Sequence, residues 1–487
     1  MVKVDAVLFD LDDTLVNTYR LKKFRESGDR RGLNENLSHS NLFRPVNEIL
    51  EAIKKSDIPL GLVTNSPRWY TEEVLKFHGI DIFDVKVCYD DVGSEGVKPS
   101  DKGIRLALEK LNLHSRSNVI YVGDQETDYI ASYIAGVKPI APSWAKKEPI
   151  AQIPAAILNS ETLIDNLFNY DELALIADRT ASNRAFNFPK KQMNFIPLNE
   201  KGELVPLNRE DVKLIALGRY FSQSSTLTAK LHENHALSKD IVAKESSETY
   251  IIPEFYVDLL ARVVETLPLW VFEGMGRVFD IITVIPSKKN KNPRLENMLN
   301  RIAKKAQTKS AFIPDLFEFS VGAESLKTLG GKDRRMLELE SHLDIKQKYK
   351  GSIVGKSVLV IDDIITTGST FTYAFKLLEN ERVEFSFGTC LAKTVSVKED
   401  AKICPDCGKL LKVRIQRATG IHFYGCTGFF EKINRCNYSE AIIVKACPKC
   451  GDGMTTKSNR TTGEHFLACE GYNKEHRCTY MEKLEEV

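Results

Sequence analysis

The stretch Val358–Thr370, with the sequence VLVIDDIITTGST, decides the fold of the region around it. Val358 to Ile361 form a short aliphatic run of the kind found in the central strands of parallel sheets. Two acids and a hydroxyl-rich turn end this run, and an apolar-periodic segment from Phe371 to Leu378 follows. The pattern predicts a strand, a loop and a helix within an α/β domain.

The turn after the two acids has the composition of a phosphate-binding loop. Its residues are Thr366, Thr367, Gly368, Ser369 and Thr370. Gly368 permits a tight turn, and the N–H groups and hydroxyls at the start of a helix can hold a phosphate. Asp362 and Asp363 suit the two hydroxyls of a ribose or a bound Mg²⁺. The alternative is an ordinary strand end whose acids cap the helix, which explains less of the pattern.

The segment resembles the phosphoribosyl pyrophosphate signature of type I phosphoribosyltransferases. The form DD-x-x-TTG-x-T is that of ComF-type and orotate-type members. The resemblance implies that Asp362 and Asp363 hold the ribose hydroxyls of phosphoribosyl pyrophosphate, and that Thr366–Thr370 holds its 5′-phosphate. Hypoxanthine-type relatives carry Asp at the position of Thr366, so that subgroup is not favoured and the acceptor stays open.

Length and composition indicate a globular chain of several domains. The chain has 487 residues, of which 43% are hydrophobic, and one core rarely exceeds roughly 250–300 residues. Lysine and arginine number 68 against 66 acids, so bulk charge predicts no strong nonspecific attraction to DNA or membrane. No signal peptide or bilayer-spanning run is expected. We therefore expect the reducing cytoplasm, where cysteines bind metals more often than they form disulfides.

A second set of motifs lies in the first 130 residues. A predicted strand, Val4–Phe9, ends in the D-x-D-x-T motif DLDDT, residues 10–14. LVTNS (62–66), VKP (97–99) and YVGDQETD (121–128) follow in order, each at or near a strand end. Because ligands bind at the carboxyl ends of parallel strands, the four motifs can converge on one site. They contain a carboxylate nucleophile, a cation and further acids for Mg²⁺ and proton transfer.

This quartet resembles the haloacid dehalogenase superfamily of phosphatases, over roughly residues 1–165. The roles that the resemblance implies are nucleophile and Mg²⁺ ligand for Asp10, general acid/base and Mg²⁺ site for Asp12, phosphate binding for Thr64 and Lys98, Mg²⁺ ligand for Asp124, and support of the metal or of Lys98 for Asp128. Any one motif can arise in a structural turn, but four in this order favour the catalytic interpretation.

The segment between Thr14 and the helix expected near Pro45 has only about thirty residues. Because this is too short for a large cap domain, we expect an open active site. The insert carries six cations: Arg20, Lys22, Lys23, Arg25, Arg30 and Arg31. They can guide a polyanionic substrate, but a solvated helical face is the preferred interpretation.

A further β-rich run, DIITVIP (280–286), precedes a basic segment. In type I transferases the loop after such a strand meets pyrophosphate, so the resemblance makes Lys288 and Lys289 candidates. Eight cations and one acid lie between Lys288 and Lys309, with apolar residues at helical spacing. An amphipathic helix with a solvated basic face is favoured over a nucleic-acid surface. The segment Gly330–Arg335 (GGKDRR) is expected to be a loop over the reactants.

Eight of the ten cysteines fall in the last 84 residues. The first set is Cys404, Cys407, Cys426 and Cys436, and the second is Cys447, Cys450, Cys469 and Cys478. The spacings C-x₂-C-x₁₈-C-x₉-C and C-x₂-C-x₁₈-C-x₈-C, with matching R-x-x-G-x-H-F motifs 43 residues apart, indicate an internal duplication. Two structural Zn²⁺ ions in four-thiolate sites are therefore predicted.

The duplicated region, 401–487, resembles the four-cysteine zinc domains of bacterial type I topoisomerases, which bind single-stranded DNA. Candidate stacking residues are Phe423, Tyr424, Phe429, Phe430, Phe466 and Tyr472. From residue 401 onward there are 14 Lys plus Arg and 10 Asp plus Glu, or +4. Two zinc tetrathiolates cancel that charge, so weak binding to single-stranded DNA or RNA, or docking to protein, is expected rather than tight duplex binding.

The predicted architecture is two doubly wound parallel-sheet α/β domains, at 1–168 and 172–398, followed by zinc ribbons at 400–442 and 443–487. The predicted function is a Mg²⁺-dependent phosphomonoester hydrolase joined to a phosphoribosyltransferase, acting on phosphorylated metabolites or nucleotides. Two alternatives stay open. One is a phosphatase that trims nucleic-acid ends, and the other is a sensor of phosphoribosyl pyrophosphate in a stress or phage-defence system.

Overall fold

The strand that precedes Asp10 lies at the centre of a six-stranded parallel sheet in the computed structural model. The strands of this region are β1 (Ala6–Phe9), β2 (Val16–Asn17), β3 (Asn41–Leu42), β4 (Leu60–Val63), β5 (Val85–Val87), β6 (Val119–Val122), β7 (Lys138–Pro142) and β8 (Ala156–Leu158). The main sheet has the order β5-β4-β1-β6-β7-β8, and β2 pairs with β3 separately. All five pairings in the main sheet are parallel.

The structure describes most of the chain. The described residues are 2–114, 117–145, 148–188, 193–205, 211–223, 225–244, 249–288, 291–322, 332–397, 402, 404–416, 419–430, 435–459 and 462–483. None of the helices in these ranges combines the length and apolar composition needed to cross a bilayer. The chain divides into two units, Met1–Glu399 and Asp400–Val487, called unit 1 and unit 2 below.

Helices cover both faces of the first sheet. They are α1 (Lys22–Ser27), α2 (Arg30–Asn36), α3 (Val46–Lys55), α4 (Arg68–Phe77), α5 (Tyr89–Val92), α6 (Lys102–Lys110), α7 (Glu126–Ala135) and α8 (Ser160–Asp165). Alternate residues of β1 enter different cores: Val7 and Phe9 pack in one cluster, and Ala6 and Leu8 pack in the other. A strand buried on both faces reads as a continuous apolar run, as β1 does.

The stretch 358–370 lies in a second, mostly parallel sheet of unit 1. The strands of this region are β9 (Ile196–Leu198), β10 (Leu214–Ala216), β11 (Arg219–Phe221), β12 (Ile281–Val284), β13 (Ala311–Phe312), β14 (Phe317–Phe319), β15 (Leu343–Ile345), β16 (Ser357–Ile365) and β17 (Phe385–Val395). The sheet has the order β13-β12-β16-β17-β10-β9, with β11 also on β17. Only β9 is antiparallel to its neighbour among these described pairs.

The helices of this second region are α9 (Ile176–Asn183), α10 (Thr226–Glu233), α11 (Ala236–Ala243), α12 (Glu254–Val271), α13 (Arg294–Lys305), α14 (Lys332–His342) and α15 (Ser369–Asn380). Helix α13 confirms the predicted amphipathic helix, because its apolar face is buried and lysines end it. The predicted loop at 330–335 is wrong for residues 332–335, which form the first turn of α14. Gly330 and Gly331 lie outside the described residues.

Unit 2 contains two small antiparallel sheets that match the two cysteine sets. The strands are β18 (Leu411–Ile415), β19 (His422–Cys426), β20 (Ser439–Ala441), β21 (Ile443–Ala446), β22 (Gly453–Ser458), β23 (His465–Cys469) and β24 (Met481–Lys483). The first sheet has the order β18-β19-β20, and the second has the order β21-β22-β23-β24. The paired hairpins β18–β19 and β22–β23 have equivalent positions in the two repeats.

A buried ion pair lies where the two α/β regions of unit 1 meet. The Arg219 side chain donates from Nε to Asp178 Oδ2 at 2.8 Å, and its backbone N–H donates to Asp178 Oδ1 at 2.9 Å. Arg219 Nη1 also donates to the Tyr133 hydroxyl on α7 at 3.3 Å. The backbones of Ile150 and Leu204 also exchange two hydrogen bonds, which join the segment after β7 to the segment after β9. The two regions therefore belong to one unit, although the boundary at 168–172 stays a prediction.

We expect Arg219→Ala to destabilise unit 1 by about 3 kcal/mol, because the buried Asp178 carboxylate would lose its guanidinium partner and keep only the residue 219 backbone N–H and His235, 3.3 Å away. All three tryptophans, at positions 69, 144 and 270, lie in unit 1. Tryptophan fluorescence during urea unfolding therefore reports on unit 1 alone. Arg277→Ala is the control, since Arg277 makes an exposed ion pair with Glu384 and should contribute less than about 1 kcal/mol. Equal unfolding midpoints for the two variants would contradict the expectation.

Candidate active sites and metal centres

The first candidate site lies at the carboxyl edge of the six-stranded sheet. Asp10 follows β1, Thr64 follows β4, and Asp124 follows β6. Lys98 comes from the loop between α5 and α6 and places its Nζ 2.7 Å from Asp10 Oδ1 and 2.6 Å from Asp128 Oδ1. The four motifs therefore converge.

One buried ammonium contacts two buried carboxylates in this site. Burial raises the pKa of Asp10 to about 7, against the opposing effect of Lys98. For Lys98, burial lowers the pKa, but Asp10 and Asp128 outweigh it and raise the pKa well above its usual range. The Tyr121 hydroxyl accepts from Lys98 Nζ at 2.9 Å and completes the surroundings of the ammonium. Lys98 is thus held as a fixed positive charge.

Three carboxylates form a potential cation site beside Lys98. Oxygens of Asp10, Asp124 and Asp128 lie within 4.8 Å of one another, and carboxylates are the preferred protein ligands of Mg²⁺. Thr14 Oγ1 donates to Asp124 Oδ1 at 2.9 Å and orients that carboxylate. Both oxygens of Asp128 are engaged, Oδ1 by Lys98 and Oδ2 by the Gln125 N–H, whereas Lys98 contacts one oxygen of Asp10, Oδ1. The carboxylates best placed to take a metal are therefore Asp10 and Asp124.

The Asp12 carboxylate is engaged by partners other than this acidic group. Thr18 and Tyr70 donate their hydroxyls to Oδ1 at 2.6 and 2.8 Å, and Ser66 donates to Oδ2. Arg25 Nη1 lies 2.9 Å from Oδ2. Burial alone would raise the pKa of Asp12, but Arg25 and the three hydroxyls outweigh it and lower the pKa. The geometry gives Asp12 a place beside the site rather than in the three-carboxylate cluster.

Thr64 is buried at the end of β4, where its Oγ1 accepts from the Ser66 N–H at 3.1 Å. Asn65 exchanges hydrogen bonds with the Lys98 backbone, with distances of 2.8 and 3.2 Å. The loop after β4 and the loop that carries Lys98 are therefore held together by hydrogen bonds. Thr64 and Lys98 share one edge of the sheet with Asp10, as the motif order predicts.

The second candidate site is built on the stretch 358–370. Strand β16 runs on through both acids to Ile365, and α15 begins at Ser369. Gly368 has φ +75°, and a Cβ there would collide with the backbone of Glu200 and Lys201. Both the positive φ and this close approach require glycine. The predicted order of strand, loop and helix is confirmed.

Two cations from other elements hold Asp363. Lys244 Nζ lies 2.7 Å from Asp363 Oδ2, and Arg294 Nη2 on α13 lies 2.7 Å from the same oxygen. Burial opposes ionisation of Asp363, but these cations outweigh it and hold its pKa below the usual range. Burial and the neighbouring Asp363 charge raise the pKa of Asp362 to about 7.

A cavity of about 240 Å³ lies over this stretch. Seven of the nine predicted binding residues line it: Asp362, Asp363, Thr366, Thr367, Gly368, Ser369 and Thr370. Tyr220, Lys244, Arg294 and Arg335 also line it. The lining combines the amides and hydroxyls of a helix N-terminus with three cations, which suits a ligand that carries phosphates.

The residues predicted to meet pyrophosphate have a different placement. Lys288 lies with its Nζ 5.3 Å from the centre of the Phe319 ring and is not among the described residues that line the cavity. Lys289 lies outside the described residues. Sequence reasoning missed Lys244 and Arg294, and the only signal for Arg294 was its position at the start of the basic helix.

Comparison with known proteins matches both α/β regions. The family model for haloacid dehalogenase-like hydrolases matches residues 22–141, and the phosphoribosyl transferase domain model matches residues 327–418. The chain carries a haloacid dehalogenase-like hydrolase domain and a phosphoribosyltransferase domain. The chain is therefore an enzyme with a hydrolase domain and a transferase domain. Both have the parallel-sheet α/β fold that the sequence predicts.

Individual relatives are similar to about a third of this chain. Pyrophosphatase PpaX of Bacillus mycoides (strain KBAB4) is 29% identical over 189 residues, covering 30% of this chain and 86% of its own. The same enzyme of Bacillus cereus (strain ATCC 10987 / NRS 248) matches equally. Among solved structures, a hydrolase of this superfamily from Ehrlichia chaffeensis has 20% identity and a TM-score of 0.25, covering 29% of this chain and 89% of its own. A phosphatase from Thermococcus onnurineus has 21% identity and a TM-score of 0.24, covering 28% and 86%.

The two cysteine sets of unit 2 form two compact sulfur clusters. In each set, the four Sγ atoms lie within 4.8 Å of one another. The shortest separations are 3.3 Å for Cys407–Cys426 and 3.4 Å for Cys450–Cys469. These distances are too long for disulfides, whereas tetrahedral Zn–S bonds of about 2.3 Å place sulfurs about 3.8 Å apart. Both clusters fit zinc.

The predicted stacking residues of unit 2 differ in exposure. Tyr472 is 61% exposed and Phe429 is 40% exposed. Phe423, Tyr424 and Phe466 are partly buried, and the side chain of Phe430 lies outside the described residues. Arg435 lies 3.8 Å from the centre of the Phe429 ring. Phe429 and Tyr472 are thus the described aromatic rings most accessible to a ligand.

We expect two zinc ions per chain and loss of the unit 2 fold on chelation, because each small sheet has little core besides its thiolates. Elemental analysis of freshly purified, reduced protein measures the zinc. Cys450→Ser should retain about one equivalent, whereas Cys88→Ala, at a buried cysteine outside both clusters, should retain both. A wild-type value below two would count against the prediction, and a value of one would mean that one ribbon is degenerate.

Proposed function

We propose that the hydrolase domain is a Mg²⁺-dependent phosphatase whose nucleophile is Asp10. The observation that carries the proposal is the meeting of Asp10, Asp124 and Asp128 with the buried ammonium of Lys98. A carboxylate attacks a phosphate dianion only if positive charge offsets their repulsion. Lys98 supplies one such charge, and Mg²⁺ held by Asp10 and Asp124 would supply the rest.

In this mechanism, an Asp10 oxygen attacks phosphorus and the bond to the leaving oxygen breaks. Asp12, two residues along, protonates the leaving oxygen and later takes a proton from the water that hydrolyses the aspartyl phosphate. Thr64 and Lys98 hold the phosphoryl oxygens during both steps. Asp128 keeps Lys98 in position through the 2.6 Å contact.

Asp10→Asn is expected to abolish phosphatase activity, because an amide cannot form the aspartyl phosphate. Loss of the nucleophile should cost several orders of magnitude in kcat. Turnover of p-nitrophenyl phosphate with and without Mg²⁺ measures this. Asp57→Asn is the matched control, since Asp57 is exposed on the same domain and should leave turnover unchanged. Undiminished turnover by Asp10→Asn would contradict the assignment of Asp10 as the nucleophile.

We propose that the transferase domain, of the ComF-like type, binds Mg²⁺-phosphoribosyl pyrophosphate at Asp362–Thr370. The 240 Å³ cavity supports this, because it joins two strand-end acids, a helix N-terminus and three cations. The acids would hold the ribose hydroxyls, and the loop Thr366–Thr370 would hold the 5′-phosphate. Lys244 and Arg294 would meet the pyrophosphate, since they are the cations closest to Asp363.

Asp363→Ala should weaken phosphoribosyl pyrophosphate binding ten- to a hundredfold while leaving phosphatase activity intact. The loss corresponds to one charge-assisted hydrogen bond of roughly 1.5–3 kcal/mol. Titration calorimetry with Mg²⁺-phosphoribosyl pyrophosphate measures it. Asp344→Ala, at an exposed acid on β15, is the control. Equal affinities for Asp363→Ala and wild type, or no binding by wild type, would show that the signature serves another ligand.

The two domains together support a bifunctional enzyme of nucleotide-type metabolism. Transfer of the phosphoribosyl group makes a phosphorylated product and releases pyrophosphate, and the adjacent hydrolase domain can act on either. Similarity to pyrophosphatase PpaX over the hydrolase domain favours pyrophosphate as a second candidate substrate. A wild type that binds phosphoribosyl pyrophosphate but consumes it with no base would favour the sensor alternative.

We further propose that unit 2 binds single-stranded nucleic acid through its exposed aromatic rings. Phe429 and Tyr472 support this, because base stacking on such rings contributes roughly 1–3 kcal/mol each. This surface would let the phosphatase act at strand ends, which is the end-processing alternative. Product analysis with the Asp10 and Asp363 variants separates the metabolite and end-processing functions.

A further inference from the structure

One cation of the short insert reaches the phosphatase site, while its neighbours do not. Arg25 on α1 places Nη1 2.9 Å from Asp12 Oδ2 and 2.9 Å from Ser66 Oγ. Its side chain is 24% exposed. In contrast, Arg31 pairs with Glu35 and is 89% exposed. The insert therefore contributes the guanidinium of Arg25 to the site and does not present a basic face to it.

The position of Arg25 places it on the leaving-group side of the reaction. In the proposed mechanism, Asp12 protonates the leaving oxygen, so that oxygen must come within hydrogen-bond distance of the Asp12 carboxylate. Arg25 already contacts the same carboxylate at Oδ2. If the leaving oxygen binds the same oxygen, Oδ2, the two groups are at most about 6 Å apart, twice the hydrogen-bond distance. The guanidinium is therefore within reach of a charged group carried by the leaving oxygen.

We propose that Arg25 is a specificity-determining residue that selects substrates whose leaving group carries its own negative charge, with phosphoanhydrides such as inorganic pyrophosphate as the chemical class. This inference rests on the proposed phosphatase function. A guanidinium has five N–H donors in a planar fork that matches two phosphate oxygens. A leaving group without charge cannot form an ion pair with this guanidinium.

Asp12 is built to tolerate the loss of Arg25 to a substrate. Thr18, Tyr70 and Ser66 each donate a hydroxyl to the carboxylate. Three hydrogen bonds to Asp12 thus remain if Arg25 turns toward the leaving group, so the carboxylate keeps its donors. The Tyr70 ring also supports Arg25, whose guanidinium carbon lies 5.7 Å from the centre of the ring.

Pyrophosphate hydrolysis by these residues balances. Asp10 forms a bond to one phosphorus, and the bridging P–O bond breaks. The departing phosphate keeps the electron pair, takes a proton from Asp12 and is paired with Arg25. Water then cleaves the aspartyl phosphate, giving a second phosphate and restoring Asp10. Since phosphoribosyl transfer releases pyrophosphate, a transferase reaction is the class of step that would supply this substrate.

The test compares two probes on the full-length protein with Mg²⁺: inorganic pyrophosphate and phenyl phosphate, whose leaving group carries no further charge. We expect Arg25→Ala to lower kcat/KM for pyrophosphate ten- to a hundredfold more than for phenyl phosphate. Arg25→Lys should recover part of the difference, and millimolar guanidinium ion should partly rescue Arg25→Ala on pyrophosphate alone. Arg31→Ala, the exposed arginine of the same insert, should leave both substrates unaffected.

Equal losses on both probes would overturn the proposal, because they would mean that Arg25 only positions Asp12 or stabilises the insert. Wild-type hydrolysis of phenyl phosphate without hydrolysis of pyrophosphate would also overturn it, while the phosphatase function would stand. Failure of the phosphatase function itself has another signature: neither probe is hydrolysed in a way that depends on Asp10. Circular dichroism of the variants distinguishes lost folding from lost selectivity.

Discussion

Negative charge buried at the end of a strand has to be neutralised where it is, and both α/β domains depend on this constraint. Lys98 lies between Asp10 and Asp128, Arg25 meets Asp12, and Lys244 and Arg294 meet Asp363. Asp10 and Asp12 follow β1, Asp128 lies on α7, and Asp363 lies near the end of β16. In each case the cation comes from a different element. The cations fix the acids in place and leave a positive environment in which a phosphate can bind. Folding and phosphate binding therefore both require cations beside these acids.

The acids and phosphate loops could be predicted because they are local in the sequence. A parallel strand, its terminal acid and the following turn are adjacent in the chain, and the sheet brings the carboxyl ends of its strands to one edge. Asp10, Thr64, Lys98 and Asp124 meet for this reason, and so do the residues of the stretch 358–370. The cysteine clusters follow from the same kind of local information, since the ligand spacing of each set lies within one small duplicated unit.

The neutralising cations could not be predicted, because their partners are remote and their local pattern is ordinary. Lys244 is 119 residues from Asp363, and Arg294 is 69 residues from it. Arg25 belongs to a run of six cations in which periodicity favours a solvated face, and that interpretation is wrong for Arg25 alone. A long, flexible side chain gives no sign in sequence of whether it points to water or to a carboxylate. Lys288 lies beside the Phe319 ring, and its role toward pyrophosphate stays a prediction.

The junction between the two domains adds a physical link between their sites. Helix α7 carries Asp128 in its first turn and Tyr133 near its end, and Tyr133 accepts a hydrogen bond from Arg219. Arg219 is the register partner of Lys393, whose ammonium donates to the Thr366 carbonyl in the transferase loop at 2.6 Å. Allosteric coupling would require two states that a ligand binds with different affinity. Arg219 instead has two hydrogen bonds to Asp178 and lies beside the Phe221 ring. These contacts join the hydrolase domain to the transferase domain within unit 1, so the junction accounts for how the two domains are held together rather than for signalling between their sites.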